Sequence, residues 1–161
     1  MPSNHCTGAL RVALASLMLF DSGCSRRRPY EGKSVAELTR MLQSDDAIKQ
    51  VQGAFGLSQL GSQAKDAAPA LVAALKSSHT SVREHAALAL GSISPESGVA
   101  VPALTDALRD AEMTVRRQAA IALGRLGPEA KAALPALEKA ARDPDNLVRQ
   151  AARQALRQIR R

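Results

Sequence analysis

Residues 115–137 read VRRQAAIALGRLGPEAKAALPAL, and residues 82–104 read VREHAALALGSISPESGVAVPAL. The two stretches lie 33 residues apart and share their Val-Arg opening, an Ala-Ala pair, Ala-Leu-Gly and a closing Pro-Ala-Leu. The same period runs outward in both directions. Pro69, Pro102 and Pro135 each begin Pro-Ala-Leu, and Val82-Arg83, Val115-Arg116 and Val148-Arg149 keep the spacing. Gly91 matches Gly124, and Gly61 matches Gly127 two periods on. A weaker first copy follows the same register, with Glu37-Leu38 standing where Ala70-Leu71 stands. A fixed period of this size marks a repeat architecture, in which each copy is one supersecondary unit. The units fall at about 34–66, 67–99, 100–132 and 133–161.

Each unit reads as a pair of helices, A then B. Proline is tolerated at the first helical position because its missing N–H has no partner there. Helix A is therefore placed to start at Pro69, Pro102 and Pro135, and in the first unit after Ser34, whose partner Glu37 completes a capping box. Helix B is placed to start at Ser81 in unit two, with Glu84 three residues on, and Thr114 is the expected cap in unit three. Gly127-Pro128 marks a stop, since glycine accepts the terminal conformation and proline blocks continuation. Within helix B, Val115, Ala119, Ala122, Leu123 and Leu126 recur at helical spacing and form one apolar stripe. Two such helices cannot bury themselves alone, but stacking makes a continuous core. Small residues such as Ala86, Ala119 and Ala152 allow close approach. Aromatics make up only 2% of the chain and Trp is absent, which suits aliphatic helix packing better than a sheet. The expected fold is all-α.

The pattern V-R-x-x-A-A-x-A-L-G-x-L-G-P, followed by A-x-P-A-L, resembles HEAT repeats, in the short bacterial variety also seen in phycobilin lyase subunits. The resemblance covers residues 34–161 and implies a right-handed α-solenoid of about four HEAT-type helical hairpins. It also implies that an Asp in the turn pairs with the Arg six residues later. Asp110 with Arg116 and Asp143 with Arg149 fit this, whereas unit two has Ser77 against Arg83 and unit one Ser44 against Gln50. Unit one departs most from the pattern, with Gly53 and Gly56 inside helix B, and reads as an atypical end unit.

Residues 1–30 carry a different signal. Arg11 is followed by VALASLMLF, and then by DSGC and RRRP. A basic residue, a short apolar run and small residues are the layout of a secretory signal peptide. Ser22-Gly23-Cys24 resembles the lipobox of bacterial lipoproteins, which implies cleavage before Cys24 and lipid on that residue, although Asp21 stands where Leu is usual. The expectation is a signal peptide over 1–23, a basic tether over 24–33 with Arg26, Arg27 and Arg28, and a protein lipid-anchored in the bacterial cell envelope. The alternative is a cytoplasmic protein.

No catalytic motif is present. Carboxylates are scattered, and there is neither G-x-S-x-G, nor a P-loop, nor H-E-x-x-H, nor C-x-x-C. Val82-Arg83-Glu84-His85 resembles the V-R-H-E of deoxyhypusine hydroxylase, a HEAT protein whose repeated His-Glu pairs hold iron. Here the order is reversed and occurs once, and the matching Arg117-Gln118 and Gln150-Ala151 cannot bind iron. The chain is thus expected to be no enzyme, with no cofactor and no metal.

Two surfaces remain. Phe55, Leu88, Ile121 and Gln154 form one column at the repeat period, flanked by Gln59, Glu84, His85, Arg117, Gln118 and Arg125. An apolar strip with a polar rim on the concave helix-B face suits a protein partner. The last helix carries Arg149, Arg153 and Arg157 at spacing four, then Arg160 and Arg161. This basic stripe is either the polar outer face of an end unit or a contact to an acidic partner or nucleic acid. The net charge of +7 permits either and selects neither. Lack of aromatics disfavours single-stranded nucleic acid. The leading reading is a protein-binding scaffold. The alternative is binding of nucleic acid or an acidic partner through the Arg stripe, and a third is a phycobilin-lyase-like accessory subunit.

Overall fold

The computed structural model describes residues 28–93 and 97–161. The expected signal peptide, Cys24, Arg26 and Arg27 lie outside the described residues. The described chain holds eight α-helices in four successive pairs. These are α1 (Val35–Leu42) with α2 (Ala47–Leu60), α3 (Ala68–Ala74) with α4 (Thr80–Ile93), α5 (Ser97–Ala107) with α6 (Met113–Leu126), and α7 (Leu134–Ala140) with α8 (Asn146–Ile159). Tight 3₁₀ turns over Gly61–Ala67 and Gly127–Ala133 join the first pair to the second and the third to the fourth. The architecture is an all-α solenoid of stacked hairpins.

Local chemistry sets the helix ends. Ser34 and Glu37 form the capping box at α1, each side chain taking the other's backbone N–H. Asp46 and Asp145 cap α2 and α8. Gly61 and Gly127 end α2 and α6 at φ of +54° and +59°, a region that L side chains rarely adopt. Pro69 and Pro135 sit in the first turn of their helices. Pro102 departs from that expectation: α5 begins at Ser97 and carries Pro102 inside it. The proline leaves the carbonyl four residues back without a donor, and Gly98 lies at the exposed surface, where water can supply one. Thr114 is not a cap either. It lies inside α6, and the Asp110 carboxylate instead takes the Glu112 N–H at 3.0 Å ahead of the helix. Helix α4 likewise starts at Thr80, before Ser81.

The four even-numbered helices pack on one another in chain order, in much closer contact than the odd-numbered helices, which form the second layer. A stack pressed together along one layer and splayed along the other curves with the tight layer inside. The core lies between the layers and is continuous from Leu38 to Ile159. Ala86, Ala119 and Ala152 are fully buried within it. The glycines of the first unit have a packing cause. A Cβ on Gly53 would meet the Leu38 carbonyl oxygen at 2.6 Å and the Leu42 nitrogen at 2.7 Å, so α2 touches the backbone of α1 there.

Candidate functional site

Three features bear on function: a ladder between the units, the concave face, and the end face of α8. In the ladder, the residue six positions after each turn reaches back to the turn's backbone. Gln50 Nε2 donates to Ser44 O at 2.6 Å, Arg83 Nη1 to Ser77 O at 2.9 Å, Arg116 Nη1 to Asp110 O at 2.9 Å, and Arg149 Nη1 to Asp143 O at 2.8 Å. The turn carboxylate does not bind its own unit's arginine, which corrects the expected pairing of Asp110 with Arg116 and Asp143 with Arg149. Each carboxylate binds the arginine of the preceding unit. Arg83 Nε and Nη2 donate to the two Asp110 oxygens at 2.8 and 3.0 Å, and Arg116 grips Asp143 in the same way at 2.8 and 3.1 Å. The reason is geometric. One nitrogen of the planar guanidinium is used on its own turn, so the remaining fork points along the stack.

These rungs are largely shielded from water, with side chains 9–15% exposed. Burial pushes the Asp110 carboxyl up, but hydrogen bonds from Arg83 and the Glu112 N–H outweigh it and hold the group below the ordinary aspartate range. The Arg116 hydrogen bond holds Asp143 low, against burial, with help from the Asp145 N–H. Both arginines are raised in return, chiefly by their bonds to these carboxylates. The first junction has no such rung: Gln50 and Ser77 occupy the two positions. Among the described residues, Gln50 Oε1 is buried without a partner, and a cleft of about 520 Å³ opens beside it.

The concave face carries the residues expected there. Phe55, Leu88 and Ile121 are half-buried and Gln154 is exposed. Ile121 packs on the core. Phe55 is flanked on both sides. Tyr30 meets it edge-on at 5.1 Å between ring centroids, and His85 meets it edge-on at 6.2 Å. Tyr30 was not marked by the repeat pattern because it precedes the first unit. Around the column, Gln59, Arg117 and Arg125 are exposed, while Glu84, His85 and Gln118 are half-buried. Arg125 Nη1 reaches back to Ser92 Oγ at 3.0 Å, tying adjacent units across this face. His85 Nδ1 lies 2.7 Å from Ser81 O. Among the described residues, no group of three His, Cys, Asp or Glu side chains could hold a metal ion.

The basic stripe divides by environment. Arg149 is half-buried in the ladder, and Arg160 is paired with Glu138. Arg153, Arg157 and Arg161 are exposed. Their register explains the stripe. In α6, Arg116, Ala120 and Gly124 face α8, where a Cβ on Gly124 would stand 3.0 Å from Ala155 Cα. The residues one period later are Arg149, Arg153 and Arg157. Small residues that admit the next helix are thus replaced by arginines at the end of the described stack.

The sequence matches HEAT repeats over residues 35–110 and 94–157. The chain belongs to the HEAT-repeat proteins. Among solved structures, it resembles human deoxyhypusine hydroxylase in complex with glycerol, with a TM-score of 0.65 and 28% identity, covering 81% of this chain and 44% of that one. It also resembles an engineered protein at a TM-score of 0.63 and 26% identity, covering 78% of this chain and 62% of that one. The complex of CpcE and CpcF of phycocyanin lyase from Nostoc sp. matches at 0.58 with 22% identity, covering 79% of this chain and 65% of that one, a likeness of fold alone. This HEAT-repeat chain therefore spans between under half and about two thirds of the structures it resembles. No curated protein matches the sequence.

Proposed function

We propose that this HEAT-repeat protein is a non-catalytic scaffold that binds a partner protein across its concave face. The observation that carries the reading is the half-buried column Phe55–Leu88–Ile121, rimmed by Gln59, Arg117, Gln118 and Arg125 on the closely packed helix layer. Half-buried apolar side chains inside a polar rim have the anatomy of an interface core. The Arg83–Asp110 rung ties together the units that carry Leu88 and Ile121, so a partner meets an ordered surface there and less side-chain freedom is lost on binding.

The test is site-specific photo-crosslinking in expressing cells, with the crosslinker at Gln118 on the concave face or at Asp106 on the opposite layer. Discrete adducts from Gln118, absent from Asp106 and lost in a Leu88→Glu/Ile121→Glu variant that still folds, support the reading. Equal adducts from both faces, or adducts that survive the double variant, overturn it.

The basic residue, short apolar run and Ser22-Gly23-Cys24 support a second element of the proposal, a lipid-anchored address in the bacterial envelope. Metabolic lipid labelling with fractionation tests it. Label and membrane association in the wild type, both lost in Cys24→Ala, support the anchor. An unlabelled, cytosolic wild type removes it and leaves the concave-face reading standing.

A further inference from the structure

We propose that the end face presented by α8 is a docking surface for an acidic segment of a partner polypeptide, with the Arg149 guanidinium as its carboxylate fork. The inference is independent of the concave face. It rests on the ladder. Arg83 and Arg116 each spend Nη1 on their own turn and offer Nε and Nη2 to an aspartate of the next unit. Arg149 makes the same turn contacts, Nη1 donating to Asp143 O and Pro144 O, both at 2.8 Å. Its guanidinium is thereby held as the other two are, with the fork directed off the end of the described stack. Among the described residues no carboxylate meets that fork. Nη2 has only a long contact to Asn146 Oδ1 at 3.4 Å.

A fixed, half-buried guanidinium with a free fork selects a planar carboxylate in bidentate geometry. Its ordering cost is met by the fold, so more of the interaction appears as affinity. Arg153 and Arg157 extend the positive surface along the helix at one-turn intervals, exposed, where α6 carries Ala120 and Gly124. A partner with several acidic side chains satisfies all three.

The same fork takes an aspartate twice elsewhere in this molecule, which points to a protein carboxylate as the occupant. Nucleic acid fits the face less well. The described aromatics, Tyr30 and Phe55, meet at the first-unit end of the stack, so none is at hand for base stacking. A second copy stacked in ladder register brings no carboxylate either, because the position matching Asp110 and Asp143 in unit one is Ser44.

The test is fluorescence anisotropy of the full chain with a labelled oligoglutamate, using four proteins. Arg149→Lys keeps the charge but loses the fork. Arg153→Gln/Arg157→Gln removes two exposed charges. Lys49→Gln/Lys65→Gln removes two exposed charges from the first unit, at the other end of the described stack, as a control. The expected result is binding by the wild type, weakened about fivefold by Arg149→Lys and roughly tenfold by Arg153→Gln/Arg157→Gln, with less than a twofold effect in the control. Circular dichroism and melting check that each variant folds. If Arg149→Lys is unfolded, the arginine pair decides alone. No binding of the peptide, equal binding by the arginine variants, a control as weakened as the arginine pair, or tighter binding of a DNA duplex of matched charge overturns the proposal.

Discussion

Gly91 shows how a single atom governs the stack. A Cβ there would meet Ala122 Cα at 2.7 Å and its Cβ at 2.8 Å, with backbone as the obstacle. Gly91→Ala gains helix propensity of about 1 kcal/mol, but must push α6 away from α4. The displacement wins, and a net loss of about 1–2 kcal/mol is expected by chemical denaturation. Gly98→Ala is the contrast. Among the described residues nothing lies within 4 Å of that site, and the change should be neutral or stabilising by up to about 0.5 kcal/mol. A Gly91→Ala variant as stable as Gly98→Ala would show that the helices have room to spare. The spacing of Gly91 and Gly124 was legible in the sequence. Their reason was not, because it depends on which side of helix B turns toward its neighbour. The reason for Gly53 was hidden for the same cause: its site is the contact with α1.

At the scale of the element, Arg116 and Asp143 carry the argument. Their carboxylate and that of Asp110 titrate lower in the folded protein than in an unfolded chain. Groups of this kind contribute stability that is present above the unfolded aspartate pKa of about 4 and is lost as pH falls through the lower folded values. Melting temperature should therefore draw no slope from these groups between about pH 5 and 8 and decline below about pH 4. An Asp110→Asn/Asp143→Asn variant should start lower at neutral pH and decline less steeply in acid. An unchanged acid slope would remove the rungs from the account.

The first junction allows the converse experiment. Gln50→Arg/Ser77→Asp supplies the missing rung, gives the cleft's buried position a paired partner, and should add about 1 kcal/mol and raise the melting temperature by ~3 °C. Either single change should give less than half of that, since each leaves its partner absent. An additive pair of effects would mean that no rung forms. The residue types of the ladder were legible in the repeat. Its direction was not. Six residues separate Asp110 from Arg116 along the chain, whereas the bonded carboxylate lies in the next unit, a relation visible only once the units are stacked.

The whole molecule follows from the order of its junctions. Fold class, repeat number and the helix-B column were all legible, because each depends on a period that survives without coordinates. Tyr30 against Phe55 escaped, since a contact made once has no period. The junctions themselves differ in strength, and a stack of nearest-neighbour interfaces should open first where the coupling is weakest. The first and last described pairs each have one neighbour. The pair α7–α8 is held by the Arg116–Asp143 rung, while α1–α2 meets α3–α4 across Gln50 and Ser77 with Gln50 Oε1 unpartnered. Native-state hydrogen exchange should thus find the central amides of α2 opening at lower free energy than those of α8, although Tyr30 and α1 both pack on α2. In the Gln50→Arg/Ser77→Asp variant, protection should rise in α2 and leave α8 unchanged. If α8 opens first in the wild type, the end-face arginines repel one another more than the rung holds. Stability would then be set by charge at one end, not by a gap at the other.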